Sequence, residues 1–145
     1  MSAAWVVVGV TVVGGLAAAL QAQFMGEMNA RVGTLESVFI TYGLGALVIG
    51  VIMAAARGGD LSSWRALPPY VFLAGVFGLV IVGSVSFGVG RVGVVQALVT
   101  FTAAQFAFSA LIDHYGWFGA EVRAFDVSRM AGVALLVAGS WLVVR

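Results

Sequence analysis

The sequence predicts an all-α integral membrane protein of five transmembrane helices, and three observations carry that reading. Of 145 residues, 62% are hydrophobic and only 9% are charged, whereas a soluble domain carries about 25% charged residues. The mean hydropathy is +1.11. Nearly all the charge and both prolines fall in short connections between apolar stretches. A bilayer's hydrocarbon core is ~30 Å thick and a helix rises about 1.5 Å per residue, so roughly 20 apolar residues are needed to cross it.

Five stretches meet that length, and together they make residues 1–145 a single transmembrane domain. The first runs from Ala4 to Phe24; no positive residue precedes it and the first arginine is Arg31, so it is expected to stay in the mature protein rather than act as a signal peptide. The second is Ser37 to Ala56. The third, Tyr70 to Gly90, follows Pro68 and Pro69, which a helix start tolerates. Only Gly90, Arg91, Val92 and Gly93 join it to the fourth, Val94 to Ile112, enough chain for a tight helical hairpin and no more. A four-span reading would merge or discard a segment there. The fifth is Val127 to Val144, and Arg129 at its start is the one charged residue inside any stretch.

Composition excludes several functions. The net charge of +1 comes from arginines balanced by six acids, with no lysine, so no basic face is available for nucleic acid. Absence of cysteine removes disulfides and thiolate ligands. One histidine cannot make a multi-histidine metal site, and no metal or other cofactor is expected. No glycine-rich phosphate loop with its lysine occurs, and no nucleophile and base or aspartate pair lies at membrane depth, so the chain does not read as an enzyme.

Orientation follows the basic residues of short loops. With five spans, Arg57, Arg65, Arg123 and Arg129 fall on the side of the amino terminus, and Arg31, Arg91 and Arg145 on the other. So even a balance predicts insertion in both orientations. An odd number of spans inserted both ways can pair as an antiparallel homodimer, a ten-helix inverted-repeat unit of the kind that exposes a midplane site alternately to either side. The competing reading is one fixed orientation with a weak bias.

The helix faces carry small residues at helical spacing, which in lipid means close packing. Gly14, Ala18, Gln21 and Met25 share a face of the first span, prolonged by Asn29; Gly43, Ala46, Gly50 and Ala54 share one on the second. Gly75, Gly78 and Ser86 mark the third span, and Gly132 and Gly139 the fifth. In the fourth, Thr102, Gln105 and Ser109 line one face while Gln96 and Thr100 lie nearly opposite. A glutamine in hydrocarbon must be hydrogen-bonded, to another helix or to a substrate. Gln21, Asn29, Thr102, Gln105 and Ser109 are therefore the candidate substrate-binding residues. Glu27, Asp113 and His114 are the candidates for coupling or gating, although all lie towards span ends and interfacial solvation also explains them. A proton-coupled exporter of cations would ordinarily have a carboxylate at depth.

These residues resemble the small YdcZ-type branch of the drug/metabolite transporter superfamily, from Gly14 to about Gly139. The similar features are Gln21, Asn29 and Gly33 followed by Ser37 and Gly43; the short hairpin Arg91 to Gly93; Gln105 through Ser109 with Leu111-Ile112-Asp113-His114-Tyr115-Gly116; and Arg129 with Gly132. Two departures from the pattern occur: Ala104 replaces a common glycine, and Glu36 and Val38 replace a Gly-Ser-Pro context around Ser37. The resemblance implies a five-helix protein of the bacterial cytoplasmic (inner) membrane, often paired antiparallel with itself, that exports small metabolites or drugs. The reading that follows is a secondary transporter of a small organic molecule in the lipid bilayer, working by alternating access. A small dual-topology ion channel, with Phe101, Phe106 and Phe108 near polar residues, and an accessory subunit of a membrane complex are the alternatives.

Overall fold

The computed structural model describes residues 3–56, 61–123 and 126–145. Arg57, counted above in the charge balance, lies outside them. The described residues form five α-helices and no strand: α1 Ala3–Val32, α2 Thr34–Ala55, α3 Leu73–Val92, α4 Val94–Tyr115 and α5 Val127–Val144. All five are long and apolar enough to cross a membrane. The chain divides into two compact units, one running to Arg91 with α1 to α3, the other starting at Val92 with α4 and α5.

Several helices outrun their apolar stretches. α1 spans 30 residues, about 45 Å at helical rise, and continues past Phe24 because nothing in the next turns breaks it. Glu27 and Arg31 pair at 2.6 Å, one turn apart on its exposed side, which supports the polar end of the helix. The stop comes at Gly33, with φ 99° and ψ 169°. That backbone region is open essentially to glycine alone. The same device recurs 60 residues later: Arg31-Val32-Gly33 and Arg91-Val92-Gly93 are identical tripeptides, and Gly93 has φ 83° and ψ 167°. Each glycine is the sole residue between two helices, and its carbonyl accepts from the amide four residues on, Ser37 at 3.1 Å and Ala97 at 3.2 Å. α3 and α4 are therefore separate helices, and the merged four-span reading does not hold.

The longer connections use other chemistry. Pro68 in extended conformation and Pro69 at the first position open a short 3₁₀ turn, Pro69–Phe72, that leads into α3. α4 ends at Gly116 in the left-handed region, φ 64°, its N–H donating to the Ile112 carbonyl. Tyr115 stacks on Trp117 there, ring centroids 5.2 Å apart, the kind of aromatic anchor found at a membrane surface. α5 starts at Asp126, whose carboxylate accepts from the Arg129 amide at 2.7 Å.

Little of the chain is shielded by the chain itself. Among the described residues only Ala22, Met25, Gly26, Ser37, Ser86, Val89 and Ala103 are buried. Lipid tails are as apolar as leucine, so exposed leucines, valines and phenylalanines carry no penalty in a bilayer, and close contact is concentrated where small residues permit it.

Candidate functional site

In the first unit, α1, α2 and α3 are drawn together by a polar clasp. Ser37 near the start of α2 and Ser86 on α3 are both fully buried, their hydroxyl oxygens 2.8 Å apart. Ser37 also donates to the Thr34 carbonyl at 2.9 Å, and Ser86 reaches the Met25 carbonyl on α1 at 3.3 Å. Asn29 accepts from the Thr34 hydroxyl at 2.6 Å, while its amide nitrogen fills the space where Gly90 lacks a side chain. Three other glycines admit close neighbours: Gly26 meets Val89, Gly78 meets the Tyr42 hydroxyl, and Gly83 meets Val38. Every buried side-chain polar atom among the described residues has a partner.

Beside the clasp, α1 and α2 part to leave an open groove of about 730 Å³, lined among others by Ala17, Gln21, Phe24, Thr41, Leu44 and Ile52. Its wall is almost wholly apolar. Thr41 donates its hydroxyl hydrogen to the Ser37 carbonyl at 2.8 Å, leaving it only acceptor capacity. Gln21 makes no side-chain hydrogen bond among the described residues, so its amide keeps both donor and acceptor capacity beside a groove whose own lining is almost wholly apolar.

The second unit has a smaller groove between α4 and α5, about 460 Å³, where Thr102 and Ser140 face apolar neighbours. The helices are tied by Gln96 donating to the Val143 carbonyl at 3.3 Å, and the Ser140 hydroxyl, which lies 2.7 Å from the Leu136 carbonyl of its own helix, comes within 3.3 Å of the Val99 carbonyl. Gln105 is nine residues from Gln96, about half a turn round α4, and with Ser109 it is exposed on the face away from those ties.

The sequence-selected residues thus separate by role. Gln21 lines the large groove, Asn29 belongs to the clasp, and Thr102 lines the small groove. Glu27 lies six residues from Gln21, about 240° round α1, and is engaged by Arg31. Asp113 and His114 lie in the last turn of α4, where the Asp113 carbonyl accepts from the Arg123 amide at 2.8 Å and His114 packs edge-on against Tyr115 at 4.8 Å. Thr41 was not singled out by sequence reasoning, although its helical position opposite Gln21 on an antiparallel neighbour could have marked it. Ser86 was grouped with the glycines as a small packing residue, yet its hydroxyl is what the clasp uses.

A protein-family model described as "Putative inner membrane exporter, YdcZ" matches residues 6–142. No curated protein matches, and no solved structure matches.

Proposed function

Because the chain belongs to the YdcZ family of drug/metabolite transporters, we propose that it exports a small organic molecule held in the α1–α2 groove. That groove is the observation that carries the reading. It has the volume of a small-molecule site, mostly apolar walls and a few polar groups to fix orientation. Gln21 is the principal polar contact and Thr41 its accepting neighbour, and Asn29 holds the helices that shape the groove; in the second unit Thr102 lines a separate small groove, while Gln105 and Ser109 are exposed on α4.

The working unit of this proposal is an antiparallel homodimer, in which two copies of opposite orientation expose the site alternately to each side of the membrane. Two observations support it. The arginine balance gives no strong orientation, and Gly14, Gly43 and Gly50 have nothing within 4 Å of where a side chain would begin, so a second helix can approach closely along those faces.

Two measurements test the proposal. Cells producing the chain should accumulate less of the fluorophore N-phenyl-1-naphthylamine than cells without it, and Gln21→Leu should abolish the difference while the protein remains folded in the membrane. An Arg145→Cys variant of this cysteine-free chain, treated in intact cells with an impermeant thiol reagent, should label in about half of the molecules and completely after permeabilisation. Unchanged accumulation would reject export of this probe class, and all-or-none labelling would reject the antiparallel dimer.

A further inference from the structure

We infer that the α1–α2 groove takes a neutral lipophilic molecule with one hydrogen-bonding group, admitted sideways from the bilayer, and discriminates against lipophilic cations. The inference rests on the reading of the groove as the transport site and names the substrate class that site accepts.

Charge decides the class. The six acids of the chain are Glu27, Glu36, Asp60, Asp113, Glu121 and Asp126. Of these, the five among the described residues do not line the groove. Glu27 points elsewhere on α1 and is paired with Arg31 at 2.6 Å. Glu36 stands in the first turn of α2, where its carboxylate folds over Gly33, and Asp113 is in the last turn of α4. A second copy of the chain would bring the same acids at the same helix ends, so dimerisation adds no carboxylate at depth. A cation in this groove would be desolvated with no opposite charge to offset that cost, whereas a neutral molecule loses little.

Gln21 sets the polar requirement. An amide without a partner in hydrocarbon is unfavourable, and an occupant with one carbonyl, hydroxyl or amide group would satisfy it. Beyond Gln21 and Thr41 the lining is apolar, so a second polar group would be left unmatched.

The groove's position gives the route. It follows α1 from Ala17 to Met28 and α2 from Ile40 to Ile52, about 18 Å along the helices against a hydrocarbon core of ~30 Å. Its rim residues Leu20, Phe24 and Leu44 are each at least 60% exposed. A molecule dissolved among the acyl chains meets the groove directly, without first crossing the headgroup layer.

Two isosteric photoprobes test this: a 4-(trifluoromethyldiazirinyl)benzamide of 3,3-dimethylbutylamine, which is neutral with the amide as its one hydrogen-bonding group, and the same amide carrying 2-(trimethylammonio)ethyl, which is a permanent cation. Both are irradiated with the full chain in nanodiscs at matched bilayer concentration, and adducts are mapped by mass spectrometry. The neutral probe should label the groove segments 17–28 and 40–52 at least about tenfold more than the cation. Gln21→Leu should lower that labelling roughly three- to tenfold, the loss of one hydrogen bond, and Gln21→Glu should raise labelling by the cation. Equal labelling by the two probes, or groove labelling indifferent to both substitutions, would overturn the inference. The same probes followed for accumulation in cells separate it from the transport reading. Export and groove labelling of the cation overturn the substrate class alone. Groove labelling by the neutral probe without export overturns the transport reading and leaves the binding preference standing.

Discussion

The hydroxyl oxygens of Ser37 and Ser86, 49 residues apart in sequence, lie 2.8 Å apart with no solvent exposure at either residue. Each hydroxyl has one hydrogen, and with the Thr34 carbonyl within reach of Ser37 and the Met25 carbonyl within reach of Ser86, either serine can supply the hydrogen that joins α2 to α3. Removing either oxygen should therefore cost the same bond. Ser86→Ala is expected to destabilise the protein by about 1 kcal/mol, with a coupling near 0.6 kcal/mol to Ser37→Ala, typical of interhelical bonds in membranes. Reversible unfolding of the two single variants and the double variant in mixed micelles measures it, and strictly additive losses would mean that the two hydroxyls do not cooperate.

Steric contact at Gly26 gives a second expectation. A methyl group there would run into the Val89 side chain. Gly26→Ala should lose about 1–3 kcal/mol as α1 and α3 are pushed apart, and Val89→Ala in the same chain should restore part of that loss. Gly43→Ala is the contrasting case, because among the described residues nothing lies within 4 Å of where its side chain would begin. Alanine there favours the helix by about 1 kcal/mol, so a stabilised but monomeric Gly43→Ala protein would locate a dimer contact on α2, and an unaltered oligomer would place that contact elsewhere.

Backbone conformation, not space, limits Gly93. With φ at 83° and nothing near its missing side chain, an alanine meets only the strain of a glycine-specific region, about 1–3 kcal/mol. Gly93→Ala should show that loss without any compensating partner substitution. A search for second-site suppressors would distinguish it from Gly26→Ala: suppressors at a contacting side chain are expected for Gly26 and not for Gly93.

Asp126 supplies a pH dependence. The Arg129 backbone N–H and then the Ser128 hydroxyl hold its carboxyl below the ordinary 3.8. A group with a depressed folded-state pKa contributes stability above its unfolded value and loses it as pH falls through the folded one. Protection of the first-turn amides of α5, taken relative to the intrinsic exchange rate at each pH, should accordingly be high at neutral pH and fall below the ordinary carboxylate range. Asp126→Asn, which still caps but does not titrate, should remove that pH response.

The span count was legible because charge is confined to connections, and that segregation is set by the bilayer rather than by local preference. Helix ends were less so: Glu27 and Arg31 are too polar to extend an apolar window, yet as a pair one turn apart they are good helix residues. The Arg-Val-Gly repeat was visible in the letters, but only the dihedral angles show that both glycines do the same work. Helical phase put Gln21 and Asn29 on one stripe; it could not say that Asn29 fits against Gly90, because the partner lies on another helix 61 residues away. Gly26 escaped notice for the same reason, since its neighbour Val89 is close only in space. On α4, Gln96 donates to the Val143 carbonyl of α5, while Gln105 lies about half a turn away and exposed.

One-residue links at Gly33 and Gly93 have a practical corollary. A protease, an antibody or an inserted epitope needs several residues of accessible, deformable chain, and a single glycine whose carbonyl is held by an amide of the following helix provides none. Attempts to tag or nick the protein at these two links should therefore fail, whereas the connections between α2 and α3 and between α4 and α5 supply more chain. For anyone mapping sidedness by such methods, silence at the two Arg-Val-Gly turns will report tight geometry and carry no information about which compartment they face.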